Sequence, residues 1–191
     1  EIRPRDWSSD VCSSDLEFAD TKEPTSILQH TGGDNRNILA VHSLSKRSSL
    51  AGYRAAFVVG DPALIARMLE VRKHAGMMVP LPVQHAMVAA LSDDAHVATQ
   101  RARYNARRAI MRPALIAAGF TIEDSEAGLY LWATRGEDAW ASIQWLAERG
   151  IVATPGIFYG SAGASHIRIA MTASDADIAQ AAARITGAGS R

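Results

Sequence analysis

Hydrophobic and polar positions change their spacing several times along the chain, and each change predicts an element. Two short apolar runs, residues 37–42 and 54–59, predict buried strands on either side of a polar segment. Apolar residues then recur at helical spacing, and Asp61 followed by Pro62 suits the start of a helix. This spacing predicts helices over residues 63–75, 84–91 and 95–118.

Proline positions and a faster alternation organise the rest of the chain. Pro80 and Pro82 are predicted to break the chain between the first two helices, and Pro113 to kink the third. Beyond residue 118 the pattern predicts strands at residues 128–133, 151–153 and 167–171 and helices at 138–149 and 174–185. The sequence therefore predicts an α/β fold, with one domain over residues 17–94 and a second over 95–191 that begins with the long helix.

Composition limits the classes of partner. The 191 residues are 48% hydrophobic and 21% charged, and 20 basic side chains balance 20 acidic ones. Neither a basic cluster with interleaved aromatics nor an apolar run of membrane-spanning length is present, so we expect a soluble, cytoplasmic protein without nucleic-acid or membrane partners. Cys12 is the single cysteine, and no Cys/His spacing indicates a metal site. A basic run predicts a solvated or partner-facing helix face (Arg101, Arg103, Arg107, Arg108 and Arg112).

Lys46 lies between the first two predicted strands, with Ser43 and Ser45 before it and Arg54 after it. Hydroxyl groups and a guanidinium can bind a phosphate, and an amine between them can condense with a carbonyl. Loops at strand ends commonly carry the sites of α/β proteins. Pyridoxal 5′-phosphate carries both a phosphate and an aldehyde carbonyl, so these residues form a candidate site for this cofactor. A solvated surface lysine in a Ser-rich turn fits the same residues and is the alternative.

Four segments resemble, in order, motifs of the class I/II pyridoxal-phosphate aminotransferases, the fold-type I group. They are the lysine region 43–62, the glycine-aromatic strand 127–132, the Pro-Gly turn 155–160 and the strand 166–170. The resemblance implies that residues 17–94 are a remnant of the cofactor-binding large domain. It also implies that residues 95–191 form the interdomain helix and an α/β small C-terminal domain.

The resemblance assigns a role to each candidate residue. Lys46 is expected to be the catalytic amine and to hold the cofactor, with Ser43, Ser45 and Arg54 on its phosphate. A homodimer with active sites at the dimer interface is also implied. In this reading the substrates are small molecules, an amino acid and a 2-oxo acid.

Arg168 is expected, by the same resemblance, to bind the substrate α-carboxylate through two parallel hydrogen bonds. Ile167 and Ile169 alternate with it, which permits either a cleft or solvent around Arg168, so an ordinary exposed arginine is the alternative. Tyr130 and Trp132 are left outside the candidate site.

Two stretches, residues 42–54 and 128–138, are most similar to succinyldiaminopimelate transaminases of lysine biosynthesis. That similarity implies transamination of N-succinyl-L,L-2,6-diaminopimelate with 2-oxoglutarate as amino acceptor. Another reaction on the same scaffold, such as a β-lyase or decarboxylase reaction, fits the same residues. An inactive or non-enzymatic aminotransferase-like fragment fits them too.

The first 16 residues fit neither helix nor strand periodicity and match nothing in the family. They resemble a translated sequencing adapter, which predicts a non-native segment; a disordered N-terminus is the alternative. The family's pyridinium-pairing Asp has no counterpart, since Asp20 and Asp34 lie in polar, turn-like sequence. We therefore interpret the chain as an N-terminally truncated fragment that is inactive alone.

Overall fold

The computed structural model describes residues 26–123, 125 and 127–187, and the predicted adapter-like segment 1–16 lies outside them. The chain divides between Thr99 and Gln100 into two compact units. We call them the first unit and the second unit, and each is described by itself. The domain boundary expected at residue 95 stays a prediction.

An antiparallel hairpin forms the sheet of the first unit. Strand β1, Leu39–Ser43, pairs with β2, Ala56–Gly60, in a register that sets Ser43 opposite Ala56. Both strands begin two residues later than predicted, at 39 against 37 and at 56 against 54. The connection contains a one-turn helix α1, Leu44–Arg47, and a 3-10 helix over residues 51–53.

Two helices follow the hairpin. Helix α2, Pro62–His74, begins one residue before the predicted position 63. The Asp61 carboxylate caps it by accepting hydrogen bonds from the backbone N–H groups of its first turn. Helix α3, Leu81–Leu91, begins three residues before the predicted position 84. Pro82 lies in its first turn, where a proline leaves no hydrogen bond unmade, so it starts a helix and does not break the chain.

Helix α4, Ala95–Ala117, spans the division between the two units and matches the predicted helix to within one residue. Its helical structure continues through Pro113, and the kink expected there stays a prediction. Within the described ranges, no helix combines the length and apolar character needed to cross a membrane.

The second unit contains four strands: β3, Thr121–Ile122; β4, Tyr130–Thr134; β5, Thr154–Pro155; and β6, His166–Ala170. They form an antiparallel sheet in the order β3-β4-β6-β5. The strand predicted at residues 151–153 is wrong, since those residues lead into β5 and Val152 is 97% exposed. Strand β3 was not predicted, because two residues carry too little pattern to identify a strand.

Helices α5, Ala139–Ala147, and α6, Asp175–Ile185, cover the sheet's core face and begin at the N-caps Asp138 and Ser174. Alternate residues of β4 and β6 point into this core, which is why the strands show a buried position at every second residue (Leu131, Ala133, Ile167 and Ile169). A fully buried aliphatic side chain stabilises the fold by about 1.5–3 kcal/mol. The predicted α/β class is confirmed.

One member of the basic run on α4 contradicts the predicted solvated face. Arg108 is 1% exposed, and its guanidinium donates to the backbone carbonyls of Ser125, at 2.6 Å, and Gly128, at 2.5 Å. Arg107 donates to the Asp175 carboxylate at 2.5 Å. Both side chains fasten α4 to neighbouring segments of the second unit. A charge this deeply buried needs such partners, which sequence spacing alone does not reveal.

Candidate active site

Lys46 lies in α1, the single helical turn that directly follows β1. Ser43 ends the strand and caps the turn: its hydroxyl accepts from the Ser45 backbone N–H at 3.1 Å and donates to the Ser45 hydroxyl at 2.9 Å. Leu44 is fully buried, and its N–H donates to the Ala55 carbonyl at 3.2 Å. The buried leucine therefore fixes the turn to the end of the hairpin where β1 stops and β2 starts.

Arg54 precedes β2 and reaches the same end of the hairpin, because the register places Ser43 opposite Ala56. Its backbone is left-handed, with φ 52° and ψ 43°. A residue other than glycine pays for this conformation, and such outliers gather at functional sites. Its guanidinium donates to the Ala51 carbonyl at 3.1 Å, and Ser49 in the same connection also has a positive φ of 54°.

The hairpin thus brings together the four predicted residues of the cofactor site, Ser43, Ser45, Lys46 and Arg54, at one end. They supply two hydroxyls, an amine and a guanidinium. This donor set is suited to a phosphate monoester that also carries an aldehyde. The two serine hydroxyls are adjacent, so Ser45 does not point away from Ser43 as strand alternation would allow. Their roles on the cofactor stay a prediction.

Arg168 lies in the middle of β6, directly opposite Trp132 on β4. It occupies the face of the sheet opposite the core, as its alternation with buried neighbours predicts. Its guanidinium carbon lies 4.2 Å from the ring centroid of Tyr130 and 4.9 Å from that of Tyr159. Within the described part of the chain no carboxylate forms a salt bridge with Arg168. Its fork of donors therefore remains suited to a carboxylate from a ligand.

Aromatic side chains surround Arg168 on this face. Trp132 stacks on His166 with ring centroids 5.3 Å apart and an angle of 11° between the rings. The edge of Trp132 meets Tyr159 at 5.8 Å. Tyr130 and Trp132 lie outside the candidate site predicted from the sequence, and Tyr159 has no role predicted from its place in the Pro-Gly turn 155–160. Alternation along β4 placed the first two on one face, but only the pairing of β4 with β6 shows that Arg168 shares it.

The two groups belong to different units. Lys46 and its partners lie in the first unit, residues 1–99, and Arg168 with its aromatic neighbours lies in the second, residues 100–191. Each is already organised within its own unit. The predicted cofactor residues therefore occur together, and the predicted carboxylate-binding residue occurs in a separate aromatic setting.

Comparison with known proteins gives a family match over most of the chain. The family described as "Aminotransferase class I and II" matches residues 9–185. The 4-dedimethylamino-4-oxo-anhydrotetracycline transaminase OxyQ of Streptomyces rimosus is 59% identical over 173 residues, which cover 90% of this chain and 48% of OxyQ. An LL-diaminopimelate aminotransferase of Oleidesulfovibrio alaskensis is 33% identical, over 92% of this chain and 46% of the relative.

A solved structure gives the same result for the fold. The crystal structure of an aminotransferase from Neisseria meningitidis Z2491 matches 92% of this chain with a TM-score of 0.82 and 30% identity, over 47% of its own length. The predicted fold-type I architecture is thereby confirmed for the part that the chain contains. The chain spans about half the length of the relatives it matches.

Enzymes of this family depend on pyridoxal 5′-phosphate, and the donor set around Lys46 suits that cofactor. The match extends over most of the sequence, from residue 9 to residue 185, and includes both the Lys46 turn and the strand of Arg168. The chain belongs to the class I and II aminotransferases.

Proposed function

We propose that the protein to which this chain belongs transfers an amino group from an amino acid to a 2-oxo acid, with pyridoxal 5′-phosphate as cofactor. The observation that carries the proposal is the hairpin end that combines Lys46 with Ser43, Ser45 and Arg54. Family membership supports it. Since the chain spans 48% of OxyQ, we further propose that it is a fragment of a longer enzyme and is inactive alone. For the full-length enzyme we propose a cytoplasmic homodimer, on the composition and the family resemblance.

Each residue contributes one action to this reaction. When bound, the cofactor withdraws electrons from the substrate Cα and so makes its proton acidic. Lys46 Nζ would take the proton from the substrate Cα as general base and would then deliver it, as general acid, to the C4′ carbon of the cofactor rather than back to Cα. The Ser43 and Ser45 hydroxyls and the Arg54 guanidinium hold the phosphate. Arg168 binds the α-carboxylate and orients the substrate.

For the amino donor we propose N-succinyl-L,L-2,6-diaminopimelate, with 2-oxoglutarate as acceptor. The motif similarity in residues 42–54 and 128–138 supports this substrate. The relative from O. alaskensis is named for LL-diaminopimelate, a related amino acid without the succinyl group. OxyQ is named for an oxo-anhydrotetracycline. All three compounds therefore belong in the substrate panel, and product analysis with glutamate and a keto acid separates transamination from a lyase reaction.

The test uses the full reading frame that contains this chain. Lys46→Ala should abolish amino transfer and should prevent borohydride from fixing the cofactor to the protein. In the unaltered protein, mass spectrometry after borohydride treatment should locate the cofactor on the peptide that contains Lys46. Lys73→Ala is the matched control, because Lys73 is a surface residue paired with Glu70 at 2.6 Å. Covalent capture that survives in Lys46→Ala would contradict the assignment.

A further inference from the structure

The two residues after Lys46 are held by a segment more than 40 positions further along the chain. We call that segment, residues 90–96, the α3–α4 corner, since it joins the end of α3 to the start of α4. Arg47 donates to the Ala90 carbonyl at 3.0 Å and to the Asp94 carboxylate at 2.5 Å. The Arg47 side chain is 11% exposed, whereas that of Asp94 is 88% exposed.

Ser48 is held by the same corner through His96. The imidazole Nε2 lies 3.0 Å from the Ser48 hydroxyl, and Nδ1 lies 3.1 Å from the Asp93 carboxylate. Because a carboxylate only accepts, Nδ1 donates to Asp93, which leaves Nε2 to pair with the Ser48 hydroxyl. The Ser48 hydroxyl in turn accepts from Arg47 at 3.4 Å. The contacts form one connected network.

Helix chemistry explains why the corner can act in this way. The last carbonyls of a helix have no partner within it, and Ala90 is in the last turn of α3, so a cation such as Arg47 is favourable there. Asp93 accepts from the Ala95 backbone N–H at 2.8 Å at the start of α4. That contact, followed by the hydrogen bond from His96, lowers the pKa of Asp93 and keeps it ionised.

The Lys46 turn is thus held from two sides. On one side Leu44 is buried and bonded to Ala55 in the hairpin, and on the other Arg47 and Ser48 are bonded to the corner. A catalytic amine loses rate steeply when its position is relaxed. We propose that Arg47 and His96 are positioning residues: with the α3–α4 corner they fix the turn from which Lys46 moves the proton. This inference rests on the proposed function.

The experiment compares two substitutions of His96 in the full-length enzyme loaded with pyridoxal 5′-phosphate. His96→Gln places an amide near the former Nε2 and keeps the contact with Ser48. His96→Asn places it near the former Nδ1, keeps Asp93 and loses Ser48. We expect His96→Asn and Arg47→Met to lower kcat about five-fold to fifty-fold with the donor KM changed less than about two-fold, whereas His96→Gln stays near the unaltered enzyme.

A second readout does not depend on turnover. The absorbance of the bound cofactor changes with pH, and its midpoint reports the surroundings of Lys46. We expect His96→Asn to move that midpoint by about half a pH unit or more and His96→Gln to leave it in place. His74→Asn is the control, since the His74 side chain is 85% exposed on α2. Thermal unfolding of each variant separates lost positioning from lost folding.

Each outcome has a defined meaning. Equal behaviour of His96→Gln and His96→Asn, or unchanged kcat and midpoint in both, overturns the positioning role. If His96→Asn does not fold, Asp94→Ala decides, because the Asp94 side chain is 88% exposed and its loss removes a partner of Arg47. Lys46→Ala is run beside them. If covalent capture of the cofactor survives in Lys46→Ala, the proposed function itself is wrong. If capture is lost in Lys46→Ala but the His96 variants are unaffected, only the positioning role is wrong.

Discussion

At the scale of single residues, Arg168 has a testable role that depends on the shape of its side chain. We expect Arg168→Lys to raise the donor KM about ten-fold to a hundred-fold, since lysine keeps the charge but loses one of two parallel charged hydrogen bonds. Steady-state kinetics over a range of donor concentrations measures it. The control is Arg184→Lys on α6, where the arginine only approaches the Arg149 carbonyl at 3.4 Å. An unchanged donor KM in Arg168→Lys would remove Arg168 from the site.

The candidate residues differ in how far sequence could identify them. Lys46, Ser43 and Arg54 are close in the chain and lie between two apolar runs, so local pattern suffices to propose a site. Arg47 and His96 could not be found in this way, because 49 positions separate them and nothing in either segment indicates their common partner Ser48. Tyr159 likewise lies outside any strand and reaches Arg168 only through the turn that ends at residue 159.

At the scale of elements, the 3-10 helix Gly156–Tyr159 depends on a backbone contact between its first residue, Gly156, and Gly163 in the next 3-10 helix. A Cβ on Gly163 would lie 2.2 Å from the Gly156 carbonyl oxygen, so the backbones approach too closely for any side chain. We expect Gly163→Ala to lower the free energy of unfolding by about 1–3 kcal/mol through overpacking. It should also disturb the position of Tyr159. Thermal and urea unfolding measure the first effect, and the donor KM the second.

Gly52→Ala is the matched control, since a Cβ there has no atom within 4 Å and the glycine has no positive φ. A Gly163→Ala protein as stable as the Gly52→Ala protein would show that the turn relaxes without cost. The comparison distinguishes steric exclusion at Gly163 from the general effect of replacing a loop glycine.

Helices and strands could be predicted from the sequence where the hydrophobic pattern was long. They could not be predicted where pairing with a distant segment determines the structure. The 23 residues of α4 gave a clear helical spacing, and its predicted end was one residue late. Residues 151–153 are apolar but do not pair, whereas the strand forms at Thr154–Pro155, opposite Arg168 and Ile167. Arg108 resembles a surface residue in sequence, yet it is buried. Its burial is possible because the backbone carbonyls of residues 125 and 128 accept hydrogen bonds from its guanidinium. Such partners come from tertiary structure.

At the scale of the whole molecule, the described carboxyl groups with lowered pKa values all lie in the first unit. Asp61 is 8% exposed, and its pKa is lowered first by the backbone N–H of Asn37 and then by those of Ala63 and Leu64. The pKa of Asp34 is lowered by its hydrogen bonds with Arg36, but this exposed pair contributes little to stability. Asp93 is 56% exposed as well, so Asp61 is the buried member of the three, and its protonation is the one that we expect to change the stability of the first unit.

The direction of the effect follows from linkage. A carboxyl whose pKa is lower in the folded state stabilises the fold above its unfolded pKa of about 3.9, and the contribution is lost as the pH falls through the folded value. Acid should therefore loosen the first unit before the second. Hydrogen exchange, normalised for the intrinsic rate at each pH, should show protection of Leu39–Ser43 falling from pH 5 to about pH 3. Protection of His166–Ala170 should fall less.

Asp61→Asn tests the role of this carboxylate. The two oxygens of Asp61 accept from three backbone N–H groups, whereas an asparagine amide has only one oxygen that accepts. Asp61→Asn should therefore already lower protection of the hairpin at pH 5 and flatten its response to acid. Equal loss of protection in both strands would show instead that acid acts on the molecule as one cooperative unit.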